Sequence, residues 1–412
     1  MRKTTAYTKI LTALILLTCV TAVAGSYAPV SDLYTDKIYP YLCDGISFIT
    51  GAVPVPLGEM TMYIGTVSLI IAVILLILLV FKRKSPVYRH FCAVYFKALL
   101  MALVCIVFIY VPTWYVPFCG TVLGRGSNEI RTDFDHEDLK VIMWDTIEGI
   151  NSAAWEIEID QNGTVVYPDE KEGRVLIEEA MKGISGEFVR LDGYYPPVKT
   201  ALCSDILERM CIGGYNYPFT MEPTRNKYSG PLERYVLEAH EYAHHKGYEK
   251  ENEANFLSQL ALINSSDPYM RLSGYYNMYW YLIDDFTDEF SKADEVMAKK
   301  ICSGEIVLPG EIGDSEWMRA YEDIYQEVTG VPKLSCRACA IYGFSNSIEK
   351  EMYNADPHPI DEMPAVENAI CEVSDTGWEV QAEILKENSY DDVVLLWLQY
   401  YSERRKEFSI HN

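Results

Sequence analysis

The sequence predicts a mostly α-helical protein with a small β-sheet, preceded by transmembrane helices. Three observations carry this. Residues 60–81 and 98–118 are uncharged apolar runs of 22 and 21 residues, each long enough to cross about 30 Å of hydrocarbon. Downstream, apolar residues recur mostly at helical spacing, and alternation with period two is confined to short pieces. Charge is unevenly spread: nine Lys/Arg against four Asp/Glu through residue 118, and 26 against 55 beyond it. The chain therefore divides into a membrane region, 1–118, and a soluble domain, 119–412.

The membrane region contains expected helices at about 10–28, 60–81 and 91–118. Arg2, Lys3 and Lys9 precede the first, and Ala22-Val23-Ala24 has the form of a signal-peptidase site. A retained helix is the favoured reading, because no charge appears until Asp32. Lys82, Arg83, Lys84 and Arg89 separate the second and third helices, and Tyr110, Trp114, Tyr115 and Phe118 form an interfacial aromatic belt. The loop from 26 to 59 has one Lys against four acids. The positive-inside rule puts the basic loop in the cytoplasm and the 26–59 loop and everything after Phe118 outside it. The expectation is a multi-pass protein of the cytoplasmic membrane, the bilayer its first partner, with an extracytoplasmic domain.

In the soluble domain, 136–150 has helical spacing. Residues 155–159 and 164–167 read as two strands joined at Asn162-Gly163. Residues 171–184 read as a helix, and 197–203 and 214–220 as short extended pieces. Pro231 suits a helix start. Leu232, Tyr235, Val236 and Ala239 make its apolar stripe, and Gly247 suits its C-cap. Helices are expected at 251–263, from Asp267-Pro268 to Phe290, at 317–329 and at 389–401.

Chemistry concentrates in the Pro231 helix. His240, Glu241 and His244 form H-E-x-x-H. Residues four apart share a helix face, so the two imidazoles can meet one zinc ion at about 2.0–2.1 Å. Glu241 can then take a proton from an activated water. A hydrolytic zinc centre needs a third protein ligand, and Glu249, Glu251 and Glu253 follow just after Gly247. An incidental histidine pair on a solvated helix face is the bland alternative, and a chain with only seven histidines makes it the weaker one.

Other features exclude or add little. The acidic domain argues against nucleic acid as a partner, since phosphate binding needs a basic surface. Of eleven cysteines, Cys336 and Cys339 form a lone C-x-x-C. With no second pair and no βαβ pattern, a structural disulfide or inert thiols is preferred to zinc or redox work.

Several stretches resemble the domain of unknown function 3810 family, bacterial membrane-anchored proteins of zincin type. They are YPYL at 39–42, VPLGEM at 55–60, YYPPVK at 194–199, GGYNYPFT at 213–220, HEYAHHKGYEKENEAN at 240–255, SGYYNMYWYL at 273–282 and SYDDVVLLWLQYY at 389–401. The chain differs peripherally, with His245 where the family usually has Gln, and 291–380 matches only loosely. The resemblance implies an α+β zincin-like catalytic domain with a gluzincin-like site. There a Glu on the following helix is the third ligand, and Glu-Ala points to Glu253, with Glu251 as the alternative and Glu249 in the connecting turn. A metzincin would need His where Lys250 stands.

The implied activity is a zinc metallopeptidase acting on a peptide or protein substrate, with Zn²⁺ as cofactor and Glu241 as general base. Tyr275, Tyr276 and His245 are candidate oxyanion stabilisers, and Asn255 a candidate for orienting a ligand. The strand before the motif helix is a candidate edge for holding substrate backbone. The competing reading is an envelope sensor or scaffold whose zinc site is structural or vestigial; an intact Glu241 weighs against it.

Overall fold

The computed structural model describes residues 5–123, 134–306, 315–385 and 389–410. It is mostly helical, with one small sheet and three helices long and apolar enough to cross a membrane: Ala6–Gly25, Leu57–Lys82 and Pro86–Phe118. Their large apolar side chains point outward; Leu16, Ile64, Leu69 and Val80 are each 60 % exposed or more. Apolar surface on that scale is a lipid-facing or partner-facing surface. The third helix passes through a π-helical turn at Val111–Tyr115, where Pro112 cannot donate to the regular ladder.

Packing does not follow the hydropathy boundary at residue 118. Two compact units emerge. The first comprises Met1–Val122, Phe188–Lys227 and Glu241–Lys250. Besides the apolar helices it holds two short helices, Ala28–Lys37 and Tyr39–Thr50, in the stretch read from sequence as a loop. Tyr39 and Cys43 are buried with Met221, and Tyr34 and Ile46 pack against them.

The sheet also belongs to the first unit. Its strands are β1 (Lys199–Thr200), β2 (Gly214–Tyr217) and β3 (Glu222–Arg225), in the order β1-β3-β2. β1 runs parallel to β3, with Lys199 opposite Thr224. β2 runs antiparallel to β3, pairing Gly214 with Arg225 and Tyr217 with Glu222. β2 is therefore an edge. Lys199 and Glu222 form a buried ion pair. Lys199 Nζ also donates to Thr50 O (3.0 Å) and Val55 O (2.8 Å), and Glu222 Oε2 accepts from Gly58 N (2.7 Å). Glu59 Oε2 accepts from Leu202 N at 2.7 Å. The VPLGEM stretch is thus the corner at which the first long span after the N-terminal helix is fastened to the sheet.

The second unit comprises Leu123–Glu187, Tyr228–His240 and Glu251–Asn412. Its centre is the helix His136–Glu156 packed on Pro268–Leu282, with Ile142, Met143, Ile147 and Ile150 buried from the first and Met270, Leu272 and Met278 from the second. Each such side chain removed from water contributes about 1.5–3 kcal/mol. Close approach needs Gly149, since a Cβ there would fall 2.4 Å from the Tyr275 ring. A capping box at Asp169 and Glu172 starts the helix Glu170–Gly183.

Expected strands at 155–159 and 164–167 shrink to one bridge, Ile159 to Val165. Trp155 instead continues the preceding helix, which runs six residues beyond its expected end. The helix expected from 267 to 290 breaks at a tight turn, Ile283–Phe286, into Pro268–Leu282 and Thr287–Cys302. The sparsely legible 291–412 stretch is mostly helical where it is described, with non-helical connections such as 330–335, and all eleven cysteines are free.

Candidate metal centre

One run of chain builds the centre: a helix, a turn and a second helix. The first, Pro231–His245, starts at Pro231, which needs no hydrogen-bond acceptor for its nitrogen. Leu232 N donates to Ser345 Oγ at 3.2 Å. Leu232, Tyr235, Val236 and Ala239 are buried as expected, and Tyr242 and Ala243 extend the stripe. Tyr242 Oη donates to Pro196 O at 2.8 Å.

The helix ends at Gly247, with φ of 85°. Gly247 N donates to His244 O (2.9 Å) and Tyr248 N to Ala243 O (3.1 Å), which satisfies the last carbonyls. A Cβ at 247 would come within 2.9 Å of Thr35 and 3.1 Å of the Tyr39 ring. Left-handed backbone and close packing both demand glycine there. The second helix, Glu251–Ile263, begins four residues later.

This turn returns the chain onto the histidines. His240, His244 and Glu251 bring ligand atoms within 4.8 Å of one another. His240 Nε2 and Glu251 Oε2 are 3.2 Å apart, close to the separation of about 3.3 Å between two ligand atoms at tetrahedral zinc distances. His244 Nδ1 lies 2.8 Å from Tyr248 O. With Nδ1 protonated and donating to that carbonyl, Nε2 keeps its lone pair for a metal. Two imidazoles and a carboxylate are a donor set that suits zinc with a position left open.

Glu241 is 2 % exposed. β2 lies against it: a Cβ added at Gly214 would fall 2.8 Å from Glu241 Oε1 and 2.8 Å from Thr224 O. Asn216 shares that face of β2, and its amide oxygen is buried without a hydrogen-bond partner among the described residues. Tyr215 and Tyr217 take the other face, where the Tyr217 ring packs on Gly58.

The remaining expected residues lie as follows. Glu253, the favoured third ligand, does not join the group: its Oε1 accepts from Leu123 N at 2.8 Å, and Glu251, the alternative, takes the place beside the histidines. Glu249 is buried in the turn. Asn255 is half-buried, and its carbonyl accepts from Ser258 Oγ (2.9 Å). Tyr275 packs on Gly149, and Tyr276 stacks on Tyr342 with ring centroids 4.6 Å apart. His245 is fully buried, with its imidazole against Cys43 Sγ (3.3 Å to Nε2). Burial and the adjacent Lys246 hold the His245 pKa well below the ordinary imidazole value. It sits in the core, in a second group of side chains whose ligand atoms lie close together, Cys43, Asp44 and His245.

The support beneath the turn is what sequence reading missed. Tyr39 Oη donates to His245 O (3.2 Å), Cys43 Sγ to the same carbonyl (3.0 Å), and Lys246 Nζ reaches Asp44 Oδ1 (3.5 Å). Burial raises the Tyr39 and Cys43 pKa values, so both stay protonated as donors. Gly214 had a signal: a glycine inside a strand pattern marks close backbone approach.

No curated protein and no solved structure matches the chain. One family model does, that of a protein of unknown function (DUF3810), and it spans residues 34–308, which include the whole candidate centre; the chain belongs to that family.

Proposed function

We propose that the protein is a membrane-anchored zinc metallopeptidase with a zincin-like catalytic unit facing the outside of the cytoplasmic membrane. The observation that carries this reading is the convergence of His240, His244 and Glu251 with the buried Glu241 beside the pair. Zinc bound by those three residues supplies a Lewis acid that makes water nucleophilic near neutral pH and polarises a carbonyl.

Glu241 accepts the proton of the attacking water and returns it to the departing amine. Its low exposure limits competing solvent, and β2 fixes its position through Gly214. The free edge of β2 offers backbone groups to an extended peptide, as in strand addition. Asn216 supplies an amide oxygen on the same face for a substrate N–H. The basic Lys82–Arg89 segment lies on the cytoplasmic side by the positive-inside rule.

The test is metal content and peptide-library hydrolysis of the full chain in detergent. Wild type is expected to hold one zinc and to cleave. Glu251→Ala loses zinc and activity; Glu253→Ala keeps zinc. Glu241→Gln keeps zinc and loses cleavage by about 10³-fold or more. Zinc bound without hydrolysis of any peptide overturns the peptidase reading in favour of an envelope scaffold, and absence of zinc after reconstitution overturns both.

A further inference from the structure

The hairpin between the second and third apolar helices carries a feature the metal centre does not use. A cavity of about 730 Å³ opens there, and its lining combines the basic Arg83, Arg89 and His90 with the apolar Leu79, Cys92 and Phe96. Two tyrosines tie the two helices of the hairpin together. Tyr88 Oη donates to Leu75 O (2.9 Å) and Tyr95 Oη to Ser68 O (2.6 Å), each tying the third helix to the second.

Its charge is uncompensated. No Asp or Glu occurs between Glu59 and Glu129, whereas Lys82, Arg83, Lys84, Arg89, Lys97 and Arg125 fall in that interval. Among the described residues, neither Arg83 nor Arg89 forms an ion pair. Lys82 is turned elsewhere, its Nζ 5.6 Å from the centre of the Tyr88 ring. The arginines stand where an apolar helix of 26 residues ends, the depth at which phospholipid phosphates lie.

We propose that this cavity is a binding site for the phosphate headgroup of an anionic phospholipid. Arg83 and Arg89 take the phosphodiester oxygens with their planar forks, which match phosphate geometry. His90 adds a ring N–H. The apolar wall at Leu79 and Phe96 receives the start of an acyl chain. That wall is what selects a lipid over a free anion, which would leave it wet. The assignment is independent of the zinc reading, since none of its residues belongs to the metal centre.

The test uses the full chain in detergent, mixed with phosphatidylglycerol or phosphatidylcholine at physiological salt, with retained lipid counted by native mass spectrometry. Wild type is expected to retain phosphatidylglycerol selectively. Removing both arginines (R83Q with R89Q) weakens retention by about 25-fold, at about fivefold per charge. Lys82→Gln with Lys84→Gln removes the same charge outside the cavity and leaves retention within about twofold of wild type. Ala93→Phe fills the cavity without changing charge and abolishes retention, which separates pocket binding from general attraction. Equal loss in the two charge pairs overturns the site in favour of diffuse surface attraction. Equal retention of phosphatidylcholine overturns the anionic headgroup. Displacement by millimolar inorganic phosphate shows a free-anion site and overturns the lipid assignment.

Discussion

At the scale of the residue, the tightest constraint on the candidate centre is a missing methyl group. Gly214 lets β2 lie directly on Glu241, and a Cβ there would meet both the carboxylate and a backbone oxygen, Thr224 O. The backbone oxygen cannot swing aside, so Glu241 or the strand must move. Gly214→Ala is expected to lower peptide cleavage by about 10²-fold, as a displacement near 1 Å does, while zinc content stays at one per chain. Loss of zinc in that variant would show that the strand supports the ligands as well as the base.

A second prediction concerns Cys43. Burial raises its thiol pKa well above the ordinary value, and it is 1 % exposed. The thiolate is the reactive form, so maleimide at pH 8 should label the exposed Cys336 and leave Cys43 untouched until denaturant is added.

His240, Glu241 and His244 were legible because four-residue spacing on one helix is local geometry. The glutamate that stands beside them was not. Glu251 and Glu253 stand two positions apart at the start of the next helix, about 200° around its axis. The two glutamates follow the Gly247 turn, and Tyr39, Thr35 and Cys43 pack on or bond to that turn from some 200 positions away.

At the scale of the element, helices with strong periodicity or unbroken hydrophobicity read well, whereas short helices and the long Cys336–Asn354 and Pro364–Leu385 did not. The three apolar helices, the motif helix and Glu251–Ile263 have strong periodicity or unbroken hydrophobicity. The helix Tyr39–Thr50 has Pro40 and Gly45 and only 12 residues, too little to stand alone. It forms because its buried side chains have the motif turn to pack on. The strands are four residues or fewer, and their pairing rests on side chains rather than on length.

The Lys199–Glu222 pair is the main such clamp. Lys199→Met strands a carboxylate that is 1 % exposed. Two donors remain to it, Gly58 N and Thr220 Oγ1, so the cost is expected near the lower end of about 3–5 kcal/mol. It should be read as a fall in the thermal midpoint of the detergent-solubilised chain. Adding Glu222→Gln should recover part of the loss; a double variant worse than either single one would mean the pair is not the clamp.

At the scale of the whole molecule, metal linkage and topology can be checked together. A ligand that binds only the folded state at 1,000 times its dissociation constant adds about 4 kcal/mol. Chelation should therefore lower the thermal midpoint of the wild type, zinc should restore it, and Glu251→Ala should show neither response. In intact cells a membrane-impermeant thiol reagent should reach Cys336 but not a cysteine placed at Lys84. Labelling at both, or only at the second, would reverse the proposed orientation.

The corner at Val55, Gly58 and Glu59 has a consequence for shedding. Many membrane-tethered enzymes can be released by one cut in a stalk, because the catalytic body folds without its anchor. Here the segment before residue 60 fastens the sheet that borders Glu241 and props the turn at the end of the motif helix. A proteolytic cut near residue 120 leaves both supports behind in the bilayer. If the protein is the peptidase proposed above, cleavage at that point is expected to switch its activity off rather than send it elsewhere.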